Sequence, residues 1–164
     1  MGTDHEHRVC TYQEAEAVVS AHEVLYVNDC FCRGPAREGK TKRAYCGPPI
    51  RTCMGTHRQG HFFRFMMDEG WICFCCACGC GWFRDKEGNR VQDGCKPSVF
   101  SEQTDPAACT LCGDCVGVCA YQARSIADGR MLVASERCYG CSACEYACPE
   151  GAIRMVPRPG DAPT

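Results

Sequence analysis

The chain has 164 residues, 19 of them cysteine, and a formal net charge of −2. That length suits one ordinary domain or two small ones, and a cysteine share of about 12% marks a cross-linked or metal-loaded scaffold. The near-neutral charge excludes the strongly basic footprint of a nucleic-acid binder, and no apolar run approaches the length of a membrane span.

Residues 1–8 are polar and lack the apolar stretch of a secretory signal. Gly2 invites a myristoylation reading, but Glu6 stands where that motif wants Ser or Thr. A cytoplasmic location is therefore expected. In a reducing compartment dense cysteines serve metals more often than disulfides, and an odd count cannot close wholly into internal disulfides.

Thr11 and Glu14 form a capping box. It predicts a helix over residues 12 to about 23, with Ala15, Val18, Val19 and His22 on one face. Residues 24–27 read as a short strand that delivers the chain to Cys30. Arg33, Arg37, Lys40, Lys42 and Arg43 stand against Glu38 alone, among Gly34, Pro35 and Gly39. That composition reads as a basic surface loop, suited to docking a partner or offsetting a negative metal site. Residues 62–67 are expected to make one or two helical turns ending near Gly70. A polar connector over 84–98 divides the chain into a cysteine-rich metal-binding domain (1–95) and a second domain (96–156), with a disordered tail at 157–164.

The second domain contains an internal repeat with a 29-residue offset: Cys109, Cys112, Cys115 and Cys119 match Cys138, Cys141, Cys144 and Cys148. Three thiols in a short C-x₂-C-x₂-C loop can wrap three corners of an iron–sulfur cube and leave the fourth for a ligand from elsewhere. Arg124, Ser125 and Ile126 flank Asp128 and Gly129 on one side, and Met131, Leu132 and Val133 on the other, a hairpin signal. Residues 152–156 read as a further strand whose partner starts at Val99 and Phe100. Gly113, Gly117 and Gly140 suit tight loops that bring backbone N–H groups near sulfide. Tyr121, Tyr139 and Tyr146 are candidates to shield a metal site or to pack a small core.

Both runs read C-x₂-C-x₂-C-x₃-C, which resembles the bacterial two-cluster ferredoxins over about residues 99–156. The resemblance implies an α+β, ferredoxin-type fold of short hairpins and short helices, and two 4Fe–4S clusters. In that family the fourth cysteine of each run ligates the other cluster. The implied sets are Cys109, Cys112, Cys115 and Cys148 for one cluster, and Cys138, Cys141, Cys144 and Cys119 for the other. Pro149 follows Cys148 as the family pattern expects, whereas Ala120 follows Cys119 where the family often has proline.

The first domain has Cys30, Cys32, Cys46 and Cys53, enough thiols for a tetrahedral zinc or a cubane. Cys73, Cys75, Cys76, Cys78 and Cys80 form a denser run that supplies additional or alternative ligands. Together they loosely resemble the CxCR and CxCCxC region that precedes the ferredoxin module in some longer anaerobic iron–sulfur proteins. The expectation is a third iron–sulfur cluster on Cys30, Cys32, Cys46 and Cys53. A structural zinc is the alternative, although it would leave five or more of these thiols idle. Vicinal Cys75 and Cys76 keep a redox-active site open as a third reading. Cys10 and Cys95 read as unligated or packing residues, and His5, His7, His22, His57 and His61 as surface or packing residues.

No phosphate loop, dinucleotide fingerprint or nucleophile–base pair stands out. The expected function is one-electron transfer through 4Fe–4S clusters between a donor and an acceptor oxidoreductase, as a carrier or as a subunit of a larger complex. The competing readings are a reductase using an unusual N-terminal cluster or redox-active cysteines, and a ferredoxin subunit braced by zinc. Each cubane with four thiolates carries −2, so two would take the formal charge from −2 to about −6.

Overall fold

The computed structural model describes residues 7–21, 61–66, 71–76 and 95–160. Its elements are short because the segments that build them are short, and turn chemistry sets most of their ends. Strand β1 (His7–Cys10) leads into helix α1 (Tyr12–Ser20). The capping box that starts α1 is complete. The Glu14 N–H donates to Thr11 Oγ1 at 3.1 Å, and the Thr11 N–H donates back to Glu14 Oε2 at 2.7 Å. Ala15 is buried as expected, but Val19 is 43% exposed and does not belong to the buried face. His22 lies outside the described residues.

Residues 61–66 are a correction to the sequence reading. They form strand β2 (His61–Met66), not helical turns, and pair antiparallel with β3 (Trp71–Cys76) on one side and with β1 on the other. Three phenylalanines in six residues favour an extended backbone once a partner strand supplies the ladder. The result is a three-stranded sheet in the order β1-β2-β3.

The C-terminal region has two separate antiparallel pairs. Strand β4 (Phe100–Thr104) pairs with β7 (Ile153–Pro157), so its two ends are joined across the whole repeat. Strands β5 (Arg124–Ala127) and β6 (Arg130–Val133) form the hairpin predicted at Asp128 and Gly129, which take φ of 51° and 66°. Two successive positive φ values are what a two-residue turn between right-twisted strands requires. Helices α2 (Asp114–Gly117) and α3 (Ala143–Ala147) are single turns. They begin one residue before Cys115 and Cys144. The architecture is therefore short helices with antiparallel hairpins, as the α+β expectation has it.

Of the tail expected to be disordered from residue 157, residues 157–160 are described. Pro157 closes β7, and the Arg158 N–H donates to the Val99 carbonyl at 2.8 Å. The Arg158 guanidinium spans two further carbonyls, of Ser98 (2.9 Å) and Cys138 (2.5 Å), which fixes the end against the second cysteine loop. Residues 161–164 lie outside the described residues.

The N-terminal segment packs on this region. Val9 is fully buried in a cluster with Ala120, Tyr121, Cys141 and Ala143, and its N–H donates to the Lys96 carbonyl at 2.9 Å. The Tyr12 N–H donates to the buried Ser142 hydroxyl at 2.7 Å, and Gln13 Nε2 donates to Glu145 Oε2 at 2.9 Å. Ser142 holds this contact from a left-handed φ of 59°, a conformation that disfavours serine. Ser142→Ala should cost about 1–3 kcal/mol by leaving a half-buried donor unpaired. The readout is amide exchange at Val9, Tyr12 and Ala15, which should accelerate. Unchanged exchange there would mean that the segment is held by its apolar contacts alone.

Candidate metal centre

The two cysteine runs have the same backbone path. Leu111 and Gly113 take φ of 58° and 87°, and their counterparts 29 residues on, Gly140 and Ser142, take 69° and 59°. A third pair, Gln122 and Gly151, takes 51° and 60°. Left-handed residues at matched places give both loops the same sequence of tight turns. Backbone N–H groups already reach sulfur, the Cys141 N–H bonding its own thiol. Ala123 donates to Cys119 Sγ at 3.3 Å, and the Ala143 N–H bonds the Cys141 thiol.

Among the described residues no three His, Cys, Asp or Glu side chains gather around a single ion-sized point. The thiols instead ring two larger cavities. The first, of about 300 Å³ including space open to solvent, is lined by Cys109, Cys112 and Cys115 of the first run and by Cys148 of the second. Thr110, Glu150 and Ile153 complete much of its wall, and Cys112 is exposed. The second, of about 370 Å³, is lined by Cys138, Cys141 and Cys144 of the second run and by Cys119 of the first. Each cavity thus takes three thiols from one run and the fourth from the other.

The second cavity is lined by the more buried residues, though it is no less open to solvent than the first. Cys141, Ser142 and Ala143 are buried, and Tyr121 and Tyr139, which line it, stack with ring centroids 4.4 Å apart and planes 4° from parallel. Tyr146, a candidate shield, is 81% exposed and packs on Tyr12 instead. Burial pushes the Cys141 thiol up to about 12, with Cys119 and Cys138 adding to it against the Ala143 N–H. Cys144 is raised as well, chiefly by burial, with Arg124 pulling the other way. Any metal that binds these thiols must displace their protons.

Arg124 is a site residue that the sequence reading treated only as the start of a strand. Its side chain is 1% exposed and lines the second cavity together with Glu102. Nη1 donates to Glu102 Oε2 at 2.5 Å and Nη2 to Thr104 Oγ1 at 2.8 Å. Burial works against its charge, but the Glu102 hydrogen bond and the nearby Cys144 and Cys115 hold the guanidinium above its ordinary range. Arg124 Nε is buried with no hydrogen-bond partner, the one such side-chain atom among the described residues. The repeat itself carried a signal: the 29-residue offset sets Arg124 against the apolar Ile153.

The other candidates divide between placed backbone and residues outside the description. Cys73, Cys75 and Cys76 lie on β3, opposite Arg64, Phe62 and His61 in register. Cys30, Cys32, Cys46, Cys53, Cys78 and Cys80 lie outside the described residues, as does the basic loop at 33–43. Cys10 is fully buried, and Cys95 packs against the core cluster.

Ringed thiols, N–H groups that reach sulfur and an orphaned buried donor define a site for an inorganic anion of iron and sulfide, and residues 108–152 match the 4Fe–4S dicluster domain family. Two electron transport proteins of Escherichia coli strain K12 are similar over part of the chain. The putative electron transport protein YsaA is 42% identical over 55 residues, covering 32% of this chain and 35% of that protein. Electron transport protein HydN is 45% identical over 53 residues, covering 31% of this chain and 30% of that protein. The matched segment thus spans about a third of the length of each relative. No helix among the described residues is long and apolar enough to cross a membrane.

Proposed function

We propose that the chain is an iron–sulfur electron-transfer protein that carries two 4Fe–4S clusters in residues 96–156. Cys109, Cys112, Cys115 and Cys148 hold one at the first cavity, and Cys138, Cys141, Cys144 and Cys119 hold the other at the second. The observation that carries the reading is the crossed thiol ring around each cavity, supported by the dicluster match at 108–152. A cluster held in this way takes up and returns one electron at a time with little rearrangement. The chain's own residues do the rest. Tyr121 and Tyr139 keep water from one wall of the second cavity, the Ala123 and Ala143 N–H groups stabilise thiolate charge, and Cys112 gives the first cavity an exposed edge for exchange with a partner.

The same reading extends to the N-terminal half as a third iron–sulfur cluster on Cys30, Cys32, Cys46 and Cys53, with Cys73, Cys75, Cys76, Cys78 and Cys80 as additional or alternative ligands and zinc as the alternative metal. The partners would be a donor and an acceptor oxidoreductase in the cytoplasm, and the names of YsaA and HydN support that class of role. Anaerobically purified protein should be brown and should bleach on reduction. Two clusters with a zinc would give about eight irons and one zinc, and three clusters about twelve irons. The hyperfine-shifted cysteine β-proton resonances of the holoprotein should fall into two groups, with Cys148 grouped with Cys109, Cys112 and Cys115. Grouping of Cys148 with Cys138, Cys141 and Cys144 would reject the crossed ligation, and a folded, iron-free protein would reject the function.

A further inference from the structure

Besides the four cysteine pairs, the 29-residue offset pairs five wall residues of one cavity with five of the other: Thr110 with Tyr139, Gly113 with Ser142, Glu150 with Tyr121, Ile153 with Arg124, and Met131 with Glu102. The first three exchanges replace small or polar groups of the first cavity with the more buried, partly aromatic wall of the second. The last two go the other way and put an ion pair, Arg124 and Glu102, where the counterparts Ile153 and Met131 are apolar. An anionic group walled by buried residues and stacked rings is unfavourable unless a nearby cation or donor offsets it. The first cavity, with an exposed Cys112 and an exposed Glu150, has water for that purpose.

Arg124 has the geometry to supply the offset. Glu102 and Thr104 occupy its two terminal nitrogens, at 2.5 and 2.8 Å, and fix the guanidinium plane. Nε–H remains, buried and with no partner among the protein's own groups. A buried donor left unmade is a standing penalty, so such groups as a rule have an acceptor. Resting on the two-cluster reading, the geometry points to Arg124 as a positioning residue of the second metal site: its Nε–H donates to sulfur at the Cys119, Cys138, Cys141 and Cys144 cavity and raises the reduction potential there. Reduction adds one electron, supplied by an external low-potential reductant such as dithionite, and makes or breaks no covalent bond. A donor to sulfur favours the more negative, reduced state. The Arg124–Glu102 pair thereby compensates the aromatic enclosure that would otherwise hold this potential down.

The test is an anaerobic potentiometric titration of the holoprotein followed by electron paramagnetic resonance. The shifted cysteine β-protons assign each reduction wave to its ligand set. Arg124→Lys keeps a charge for Glu102 and removes Nε. It should make reduction of the second site at least tenfold less favourable, a shift of about 59 mV for a one-electron couple, and move the first site's wave, whose Cys115 also hydrogen-bonds the guanidinium, by less. Glu102→Gln removes the counter-charge beside the same cavity and should move the same wave in the opposite direction. A purely structural role for Arg124 predicts no such opposed pair of shifts. Two intact waves that do not move in Arg124→Lys would overturn the proposal alone, as would a shift confined to the Cys109, Cys112, Cys115 and Cys148 wave. Absence of two waves in the unmodified protein would overturn the two-cluster reading and the proposal with it. Should Arg124→Lys fail to load iron, an unmoved potential in Glu102→Gln overturns the proposal.

Discussion

Complete removal of iron and sulfide from the anaerobically purified protein is expected to unfold the region 95–160, with loss of its far- and near-ultraviolet circular dichroism. The described buried hydrophobic residues are mostly alanine and cysteine, and only Val9, Tyr121 and Ile153 among them are larger apolar or aromatic side chains. Cys115 and Ile153 line the first cavity, and Tyr121, Ala123, Cys141 and Ala143 line the second. What would be the core in a metal-free domain is here the wall of two cavities. With nothing inside, those walls lose their contacts on one face. A structural metal contributes binding free energy of about 10–16 kcal/mol in small zinc domains, which matches or exceeds the whole net stability of about 5–15 kcal/mol for an ordinary domain. Val9 should be released at the same time, because its buried neighbours Tyr121, Cys141 and Ala143 belong to the second cavity's wall. A native-like spectrum after verified metal removal would show that the apolar contacts suffice, and that the thiols are not the keystone of the fold.

Local chemistry made much of the C-terminal region legible in the sequence. Asp128 and Gly129 specify a turn by their own φ preferences, so the β5–β6 hairpin lies where the residues alone put it. Thr11 and Glu14 specify the start of α1 for the same reason. The cysteine spacing marks two equivalent loops because three thiols within seven residues, if they face a common centre, leave the backbone few paths. Long-range pairing stayed hidden. Strand β1 is four residues with no alternation, and it exists because Phe63, Arg64, Phe65 and Met66 pair with it from more than fifty residues away. Residues 62–67 carry no clean period, which leaves helical turns the local expectation, and the partner strand β3 decides for strand over 61–66. Arg124 escaped because a charged residue at a strand start looks solvent-exposed until the ion pair with Glu102, 22 residues earlier, is seen to bury it. The placement of Arg158 depends on carbonyls of Ser98, Val99 and Cys138, which no local pattern announces.

Gly140→Ala should be the most damaging single methyl addition in the second cysteine loop. A Cβ there would stand 2.0 Å from the Phe100 carbonyl oxygen and 3.0 Å from both the Phe100 carbonyl carbon and Ser98 Cβ. The obstacle is backbone, and it is pinned. The Ser98 N–H donates to the Tyr139 carbonyl at 2.9 Å, Phe100 opens the β4–β7 ladder, and Arg158 bridges the Ser98 and Cys138 carbonyls. The loop cannot step back without shifting Tyr139 and Cys141, both of which line the second cavity. Backbone strain at φ 69° adds about 1–3 kcal/mol to the clash. Positive φ alone is tolerable, since its repeat counterpart Leu111 adopts 58° with a full side chain. Gly151 separates the two effects: its φ is 60°, and a Cβ there meets nothing within 4 Å. Gly151→Ala should therefore lose only the conformational part, about 1–2 kcal/mol, and keep its full iron content. Gly140→Ala should lose more than about 3 kcal/mol and should load the Cys138, Cys141, Cys144 and Cys119 site poorly. Iron analysis and denaturation midpoints of the two variants, purified side by side without oxygen, make the comparison. Equal behaviour would mean that the approach of Phe100 to Gly140 is not a constraint on the metal site.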